Sequence, residues 1–211
     1  MRILSLDTAS PFPSLAAGGG DGAETSRVLA QNAAESLPLA AFDLLAEMHL
    51  TVRDLDRVAV ISGPGSFTGI RAGLAFARGL ARACGIPLVL VPTFAAAHEA
   101  IPEPGNALFV LDAGRGDVHA ATRTGNAVLD VGPPRPRSEV EAEAFARGIS
   151  VLDLGLLSLP LAAAAARVAA RDETTTRTVV YGRPSAAEEK AAGNSEEKRS
   201  AFLAGIPRES P

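Results

Sequence analysis

The chain has 211 residues, of which 47% are hydrophobic and 21% are charged, an ordinary globular composition that suffices for one large domain or two small lobes. Its 20 lysines and arginines against 24 acidic residues give a net charge of −4, which disfavours a protein that binds nucleic acid strongly by itself. The single cysteine, Cys84, excludes an internal disulfide and a cysteine-based metal cage.

The first hundred residues have the pattern of an antiparallel meander followed by alternating helices and strands. Short runs rich in aliphatic residues are bounded by turn formers, and the first helix carries its apolar residues on one face. In chain order we predict strands over 2–6, 14–17 and 25–30, a helix over 37–50, a strand over 57–62, a helix over 68–83, a strand over 88–91 and a helix over 93–100. Gly85 is expected to end the second helix in a left-handed conformation.

A second, strand-led group of elements follows, which indicates two mixed α/β lobes. We predict strands over 107–111, 118–122 and 128–131, helices over 139–147 and 161–171, a strand over 178–181 and a charged tail from 185. The lobes are assigned to residues 1–100 and 101–211. The apolar run 151–170 contains two charged residues and a proline, so we do not expect it to cross a membrane. The N-terminus lacks a signal-peptide core, so we expect a cytoplasmic protein.

A carboxylate and two hydroxyls follow the first strand, at Asp7, Thr8 and Ser10. Such a turn between hairpin strands can face phosphates or a metal through its backbone N–H groups. It can also be an Asx turn that simply closes the hairpin. The residues alone favour the structural interpretation.

A glycine-rich turn over 63–69, with the sequence GPGSFTG, joins a strand to the second helix. Glycines such as Gly63 and Gly65 permit close backbone approach, and a helix N-terminus attracts anions. The sequence is neither a Walker motif nor a dinucleotide fingerprint. Two interpretations stay open: an anion site, or a helix cap in which Ser66 or Thr68 accepts from the first free N–H groups.

The second helix is rich in small residues, although each interior glycine costs about 1 kcal/mol relative to alanine. Gly69, Gly73 and Ala77 recur at four-residue spacing, so they form a shallow stripe that suits close packing of another helix. The packed helix is either this chain's own first helix or a helix of a partner chain. The sequence leaves both interpretations open.

The hairpin over 111–119 places two carboxylates and the imidazole of His119 near one tip. No serine or cysteine stands out as a triad partner, so we favour a polar hairpin at the junction of the lobes. The other histidines, His49 and His98, are expected near helix ends. No histidine pair has the i, i+4 spacing that binds a metal from one helix, so the sequence predicts no metal site.

Three segments together resemble the TsaB family, also called YeaZ, of threonylcarbamoyladenosine biosynthesis proteins. They are MRILSLDTAS at residues 1–10, SGPGSFTGIRAGLAFARGLAR at 62–82 and LDAGRGDV at 111–118. The stretch GPGSFTGIR is highly specific to that family and its close relatives. Clear similarity covers about residues 1–120, and YGRP at 181–184 is a weaker match to the family's C-terminal end.

This resemblance implies an ASKHA (actin-like) α/β fold, in which each of two ribonuclease H-like lobes has a mixed sheet flanked by helices. Family members are inactive relatives of TsaD, a transferase that uses a histidine-held metal to move threonylcarbamoyl onto the adenosine beside the tRNA anticodon. They pair with TsaD through their first-lobe helices, and the ATPase TsaE joins them. Alone, they can form homodimers through the same face. The chain is thus expected to be a non-catalytic subunit that meets tRNA only through the complex.

On this basis the first-lobe helices should bind a TsaD-like partner, and Gly73→Leu should disrupt that binding while leaving the monomer folded. The predicted partner contacts are Gly69, Arg71, Ala72, Gly73 and Phe76. The turns predicted to face a nucleotide or another anion comprise Asp7, Thr8, Gly63, Gly65 and Ser66. No cofactor is expected to bind firmly, and ATP or ADP is expected only at the interface of the complex.

A competing interpretation is an ASKHA-type kinase or ATPase that acts alone through the Asp7 turn and the 63–69 loop. We disfavour it because no second phosphate loop or catalytic base is visible. A peptidase is disfavoured for lack of a metal site or a nucleophilic triad. Gln31 and Asn32 stand where many family members carry Glu-His, and Asp117 and His119 where Glu and Tyr are usual, so no role is carried over to these positions.

Overall fold

The computed structural model describes residues 1–19, 24–30, 36–101, 105–125, 127–129 and 132–171. The strand expected over 178–181, the tail from 185 and the departures at Gln31 and Asn32 lie outside the described residues. Among the helices that the structure describes, none is long and apolar enough to cross a membrane.

The described residues form two successive groups of strands and helices. The first group comprises β1 (Arg2–Asp7), β2 (Ser14–Gly19), β3 (Glu24–Val28), α1 (Leu37–Glu47), a 3₁₀ turn (Val52–Asp54), β4 (Arg57–Ile61), α2 (Phe67–Cys84), β5 (Leu88–Val91) and α3 (Thr93–Ala100). The second group comprises β6 (Ala107–Gly114), β7 (Asp117–Thr124), β8 (Ala127–Leu129), β9 (Arg135–Pro136), α4 (Arg137–Ala146), β10 (Ser150–Asp153) and α5 (Ala162–Arg171). The 3₁₀ turn, β9 and β10 were not predicted from the sequence.

Each group of strands forms its own mixed sheet, and the two sheets share a similar strand order. The first sheet runs β3-β2-β1-β4-β5, with the first three strands antiparallel, as the meander predicted, and with β4 parallel to both β1 and β5. The second sheet runs β8-β7-β6-β10, with β9 paired to β7 and with β10 parallel to β6. Parallel neighbours need a crossover connection, and α2 is the helix between β4 and β5.

The helices cover these sheets in separate layers. Helices α1 and α2 pack on one face of the first sheet, where Leu44 of α1 joins Leu4 and other aliphatic residues. Helix α4 covers the second sheet through Val140. Helices α3 and α5 share the central cluster with both sheets, and there Phe94 stacks on Phe109 with ring centroids 6.2 Å apart. The predicted fold, two sheets flanked by helices, is confirmed.

The caps of the second helix follow from its sequence. The Ser66 hydroxyl accepts from the Gly69 N–H at 3.2 Å, and Gly85 ends the helix with φ of 69°. Ser36 also occupies the cap position of α1, but its side chain makes no capping hydrogen bond there. Cys84, the last residue of α2, is half-buried against the outer core of the first sheet.

Helix α5 belongs to the second half of the sequence but packs on the first sheet. Five of its seven alanines are buried, and the helix packs on β1, β2 and β4, where small side chains permit close approach. Arg57, at the start of β4, donates to the carbonyl oxygen of Ala169 at 2.7 Å. Helix α3 packs on α5 as well, with Glu99 accepting from Arg167 at 3.1 Å.

Candidate partner surface and the Asp7 turn

The Asp7 carboxylate is fully buried at the end of β1, inside its own turn. Its Oδ1 accepts from the backbone N–H groups of Ala9 and Ser10, each at 3.0 Å, and its Oδ2 accepts from the Ser10 hydroxyl. Burial raises the pKa of Asp7 above its usual value, while the hydrogen bonds from Ser10 and Ala9 oppose that rise. The Asx-turn interpretation is therefore confirmed, and the N–H groups of the turn point at its own carboxylate.

The glycine-rich loop lies directly on this turn. A Cβ atom at Gly65 would lie 2.3 Å from the Ala9 carbonyl oxygen, and one at Gly69 would lie 1.7 Å from the Thr8 carbonyl oxygen. The Thr8 hydroxyl donates to the Gly69 carbonyl at 2.6 Å, and the Ser66 N–H donates to the Ala9 carbonyl at 2.8 Å. Glycine is thus required here because two backbone segments touch.

Gly73 continues this contact one turn further along α2. A Cβ atom added there would lie 2.3 Å from the Thr8 hydroxyl oxygen and 3.5 Å from Val60. The stripe of Gly69 and Gly73 therefore faces the chain's own Asp7 turn rather than α1 or open solvent. In Gly73→Leu the new side chain would have to displace the Thr8 hydroxyl. The expectation that this variant spares the folded monomer stays a prediction.

The remaining residues of the glycine-rich loop have structural partners. Gly63 is buried, and its carbonyl accepts from the Thr93 N–H at 2.9 Å, while the Thr93 hydroxyl donates to the Pro64 carbonyl at 2.6 Å. Ser66 is exposed and caps α2. Cap formation is confirmed, and anion binding by Gly63, Gly65 or Ser66 stays a prediction.

The outward faces of α1 and α2 form an apolar surface. Leu39 is 65% exposed and Phe42 is 47% exposed, both on α1. The Phe42 ring meets the ring of Phe76 from α2 edge to face, with centroids 6.5 Å apart. Half-buried Ala72 lies on α2 one turn before Phe76. We call these four residues the α1–α2 face.

A row of arginines runs along α2 beside this face. Arg71, Arg78 and Arg82 are exposed, and their spacing of seven and four residues places them on one side of the helix. The Arg71 guanidinium lies 5.2 Å from the ring centroid of Phe67. Of these three arginines the sequence analysis predicts only Arg71 as a partner contact, although the spacing of Arg78 and Arg82 on the same side of the helix is also visible in the sequence.

The hairpin of the second lobe has fewer accessible polar side chains than its composition suggested. Asp112 is exposed, Asp117 is half-buried, and His119 is only 4% exposed, in register with Leu111 on the neighbouring strand. Gly114, Arg115 and Gly116 form the tip, all with positive φ. Within the described ranges, no group of three histidine, cysteine or acidic residues is placed to hold a metal ion.

Comparison with known proteins gives this arrangement a context. The TsaD family model, described as tRNA N6-adenosine threonylcarbamoyltransferase, matches residues 26–147. A protein of Mycobacterium tuberculosis described as uncharacterized is 37% identical over 140 residues, 62% of this chain and 63% of that protein. The tRNA threonylcarbamoyladenosine biosynthesis protein TsaB of Escherichia coli is 32% identical over 126 residues, 57% of this chain and 54% of TsaB. The chain thus matches less than two thirds of the length of these curated relatives.

Two solved structures share the fold. YeaZ from Pseudomonas aeruginosa superimposes with a TM-score of 0.56 at 26% identity, over 64% of this chain and 65% of that one. A crystal structure described as similar to the peptidase YEAZ from the same organism gives a TM-score of 0.67 at 24% identity, over 86% of this chain and 99% of that one. The second match shows the fold alone.

The paired sheets, the central layer of α3 and α5 and these neighbours define a two-lobed α/β protein of the actin-like, ribonuclease H-like class. Because the family model matches more than half of its residues, the chain belongs to the TsaD family. Within that family its relatives place it with the TsaB (YeaZ) proteins.

Proposed function

We propose that this chain is a non-catalytic subunit that binds and activates a TsaD-like threonylcarbamoyl transferase, and so takes part in threonylcarbamoyladenosine modification of tRNA. The observation that carries the proposal is the α1–α2 face in a chain of TsaB kinship. Large exposed apolar residues grouped on one surface are typical of a protein interface.

The Asp7 turn supports a role without chemistry of its own. A nucleotide-binding turn would offer its N–H groups and a carboxylate to phosphates and a metal ion. In this chain the Asp7 oxygens and the N–H groups of Ala9 and Ser10 bond to one another, and the loop at Gly65 and Gly69 lies against the turn. A kinase or ATPase acting through Asp7 and Thr8 would first have to break these contacts.

The partners follow from the same proposal. A TsaD-like transferase binds the α1–α2 face, including Ala72 and Phe76, and the neighbouring Arg71. A TsaE-like ATPase joins the pair. The net charge of −4 supports tRNA contact through the complex rather than through this chain alone. ATP or ADP would bind at the interface of the complex, and the assembly would act in the cytoplasm.

The experiment is reconstitution of threonylcarbamoyl transfer to tRNA from purified proteins of the same organism: this chain, its TsaD-like transferase, its TsaE-like ATPase and the adenylate-forming enzyme. We expect modification only when this chain is present, and no ATP turnover by this chain alone. Equal modification without the chain would overturn the proposal. Magnesium-dependent ATP turnover by the isolated chain would favour the kinase or ATPase instead.

A first prediction concerns the α1–α2 face itself. We expect Phe42→Ser to weaken transferase binding by about 2 kcal/mol, roughly thirtyfold, because a truncated aromatic contact at an interface costs that much. The matched control is Phe145→Ser on α4, where the ring is 89% exposed and lies on another layer of the protein. Titration calorimetry with the transferase checks both. Equal affinities for the two variants would contradict an interface at α1 and α2.

A further inference from the structure

The arginine row on α2 is a positive strip on an acidic protein. Helix α2 contains Arg71, Arg78 and Arg82 but no acidic residue, whereas the whole chain has a net charge of −4. In the part of the chain that the structure describes, none of the three forms an ion pair. Most other described arginines differ, since Arg27 and Arg147 among others pair with glutamates.

The row lies next to the α1–α2 face on the same helix. Between the arginines and Phe76 the surface of α2 carries small residues, among them the exposed Ala75 and Gly79, and a Cβ atom at Gly79 would meet nothing within 4 Å. A helix laid on this surface would therefore pack its apolar side on Phe76 and Phe42 and bring its neighbouring side to the arginines. Charge complementarity requires carboxylates on that neighbouring side.

A second copy of this chain does not supply them. In a twofold dimer whose two α2 helices pack antiparallel, the flank that carries the arginines meets the same flank of the other copy, so the two arginine rows would face each other. The acidic residues of α1 are Asp43 and Glu47, and Glu47 already pairs with Arg27. Each copy would therefore bring three arginines and one free carboxylate, that of Asp43, to the dimer contact. Repulsion between the like charges disfavours this dimer.

We propose that Arg71, Arg78 and Arg82 select the partner of this face. They favour a helix of the transferase that carries carboxylates beside its apolar side, and they disfavour self-association through the same face. The inference rests on the proposed function and adds the chemistry of the partner surface. It also implies that the homodimer expected from the family resemblance forms only weakly and is strengthened by salt.

The test compares Arg78→Glu with Arg147→Glu, at an exposed arginine directly after the end of α4. Affinity for the TsaD-like transferase is measured by titration calorimetry at low and high sodium chloride, and self-association by sedimentation equilibrium. For the wild type we expect salt to weaken transferase binding and to strengthen self-association. Arg78→Glu should weaken transferase binding at least tenfold and strengthen self-association, because the introduced carboxylate of one copy then faces Arg71 of the other. Arg147→Glu should change neither.

Two further measurements keep the outcomes separate. Thermal melts verify folding, and Arg78→Gln removes the charge without reversing it, so it should give a smaller loss in the same direction. Wild-type binding that neither salt nor the Arg78 variants change overturns the inference and leaves the proposed function standing. A wild-type chain that fails to bind the transferase at any salt concentration overturns both.

Discussion

At the scale of single residues, the free-energy cost of burying the ionised Asp7 carboxylate is opposed by the hydrogen bonds that this carboxylate accepts. An ionised carboxylate without solvent contact is costly, and three donors from Ala9 and Ser10 reduce that cost. Since the pKa of Asp7 is raised in the folded protein, the folded state binds this proton more tightly than the unfolded state. The free energy of unfolding therefore rises, as far as Asp7 is concerned, when the pH falls towards the ordinary aspartate range.

We predict that Asp7→Asn folds, and that the wild type gains stability relative to this variant as the pH is lowered from neutral. Asparagine keeps one carbonyl acceptor for the two N–H groups and removes the buried charge. Urea unfolding at several pH values checks this. Asp7→Ala is the contrast: it leaves buried donors without a partner and should lose about 1–3 kcal/mol. Loss of tRNA modification by folded Asp7→Asn in the reconstituted system would argue that the carboxylate has a chemical role.

Two glycines of α2 give opposite predictions. Gly69→Ala places a Cβ atom 1.7 Å from the Thr8 carbonyl oxygen, so the loop and the turn must separate, and we expect a loss of about 2–3 kcal/mol. Gly79→Ala meets no atom within 4 Å and should raise the free energy of unfolding by about 0.5–1 kcal/mol through helix propensity. Urea unfolding of both variants tests the pair. A stable Gly69→Ala protein would show that the contact is not needed.

The sequence could predict that the α2 glycines needed a packing partner but not which one. Interior glycines in a helix indicate close approach, and four-residue spacing indicates one face. The partner is the backbone of Thr8, which Gly69 meets across a separation of 61 positions in the chain, and nothing local in α2 points to it. The same limit applies to His119, whose burial follows from the packing of the second lobe rather than from its neighbours in sequence.

At the scale of elements, α3 and α5 are joined by an ion-pair network. Glu99 of α3 accepts from Arg171 at 2.6 Å and from Arg167 at 3.1 Å, and Arg167 also reaches Glu24 of β3 at 3.2 Å. Partial burial of Glu99 acts to raise its pKa, but the hydrogen bonds and charges of Arg171 and Arg167 outweigh burial and lower it below 4.5. The ionised form therefore stabilises the folded protein at neutral pH.

We predict that Glu99→Gln is less stable than the wild type at neutral pH by about 0.5–1 kcal/mol, a small value because both arginines are partly exposed. A depressed folded-state pKa gives a contribution that is present above 4.5 and is lost as the pH falls through the depressed value, so the two proteins should converge in acid. Thermal melts across this range test the claim. Asp112→Asn, at an exposed position on β6, is the control and should track the wild type throughout.

Element boundaries were predictable where periodicity or capping was strong, as in α2. The sequence analysis does not predict β10, a strand of four residues at the start of the apolar run 151–170. Its first two residues are exposed and its last two are half-buried, so no alternating pattern marks it. Pairing with β6, which lies about forty residues earlier in the chain, decides its conformation.

At the scale of the whole molecule, two sheets of similar strand order enclose a central layer built from α3 and α5. The sequence predicted two mixed α/β lobes from the repeated order of elements, and the resemblance supplied their actin-like class. The division at residue 100 stays a prediction. What composition could not reveal is that the alanine-rich helix α5 packs on the first sheet rather than on the second.

That return of α5 to the first sheet has a consequence for how the chain is made. During synthesis the first hundred residues leave the ribosome with Ile3, Ile61 and Val91 still uncovered, because the helix that covers them ends at Arg171. The nascent first lobe must therefore wait, with an apolar surface open to chaperones or to other chains, until nearly all of the described protein has been translated. Ribosome-bound fragments that stop before residue 162 should therefore aggregate readily and be sensitive to protease. A proteolytic nick between the lobes of the finished protein should leave the two pieces associated.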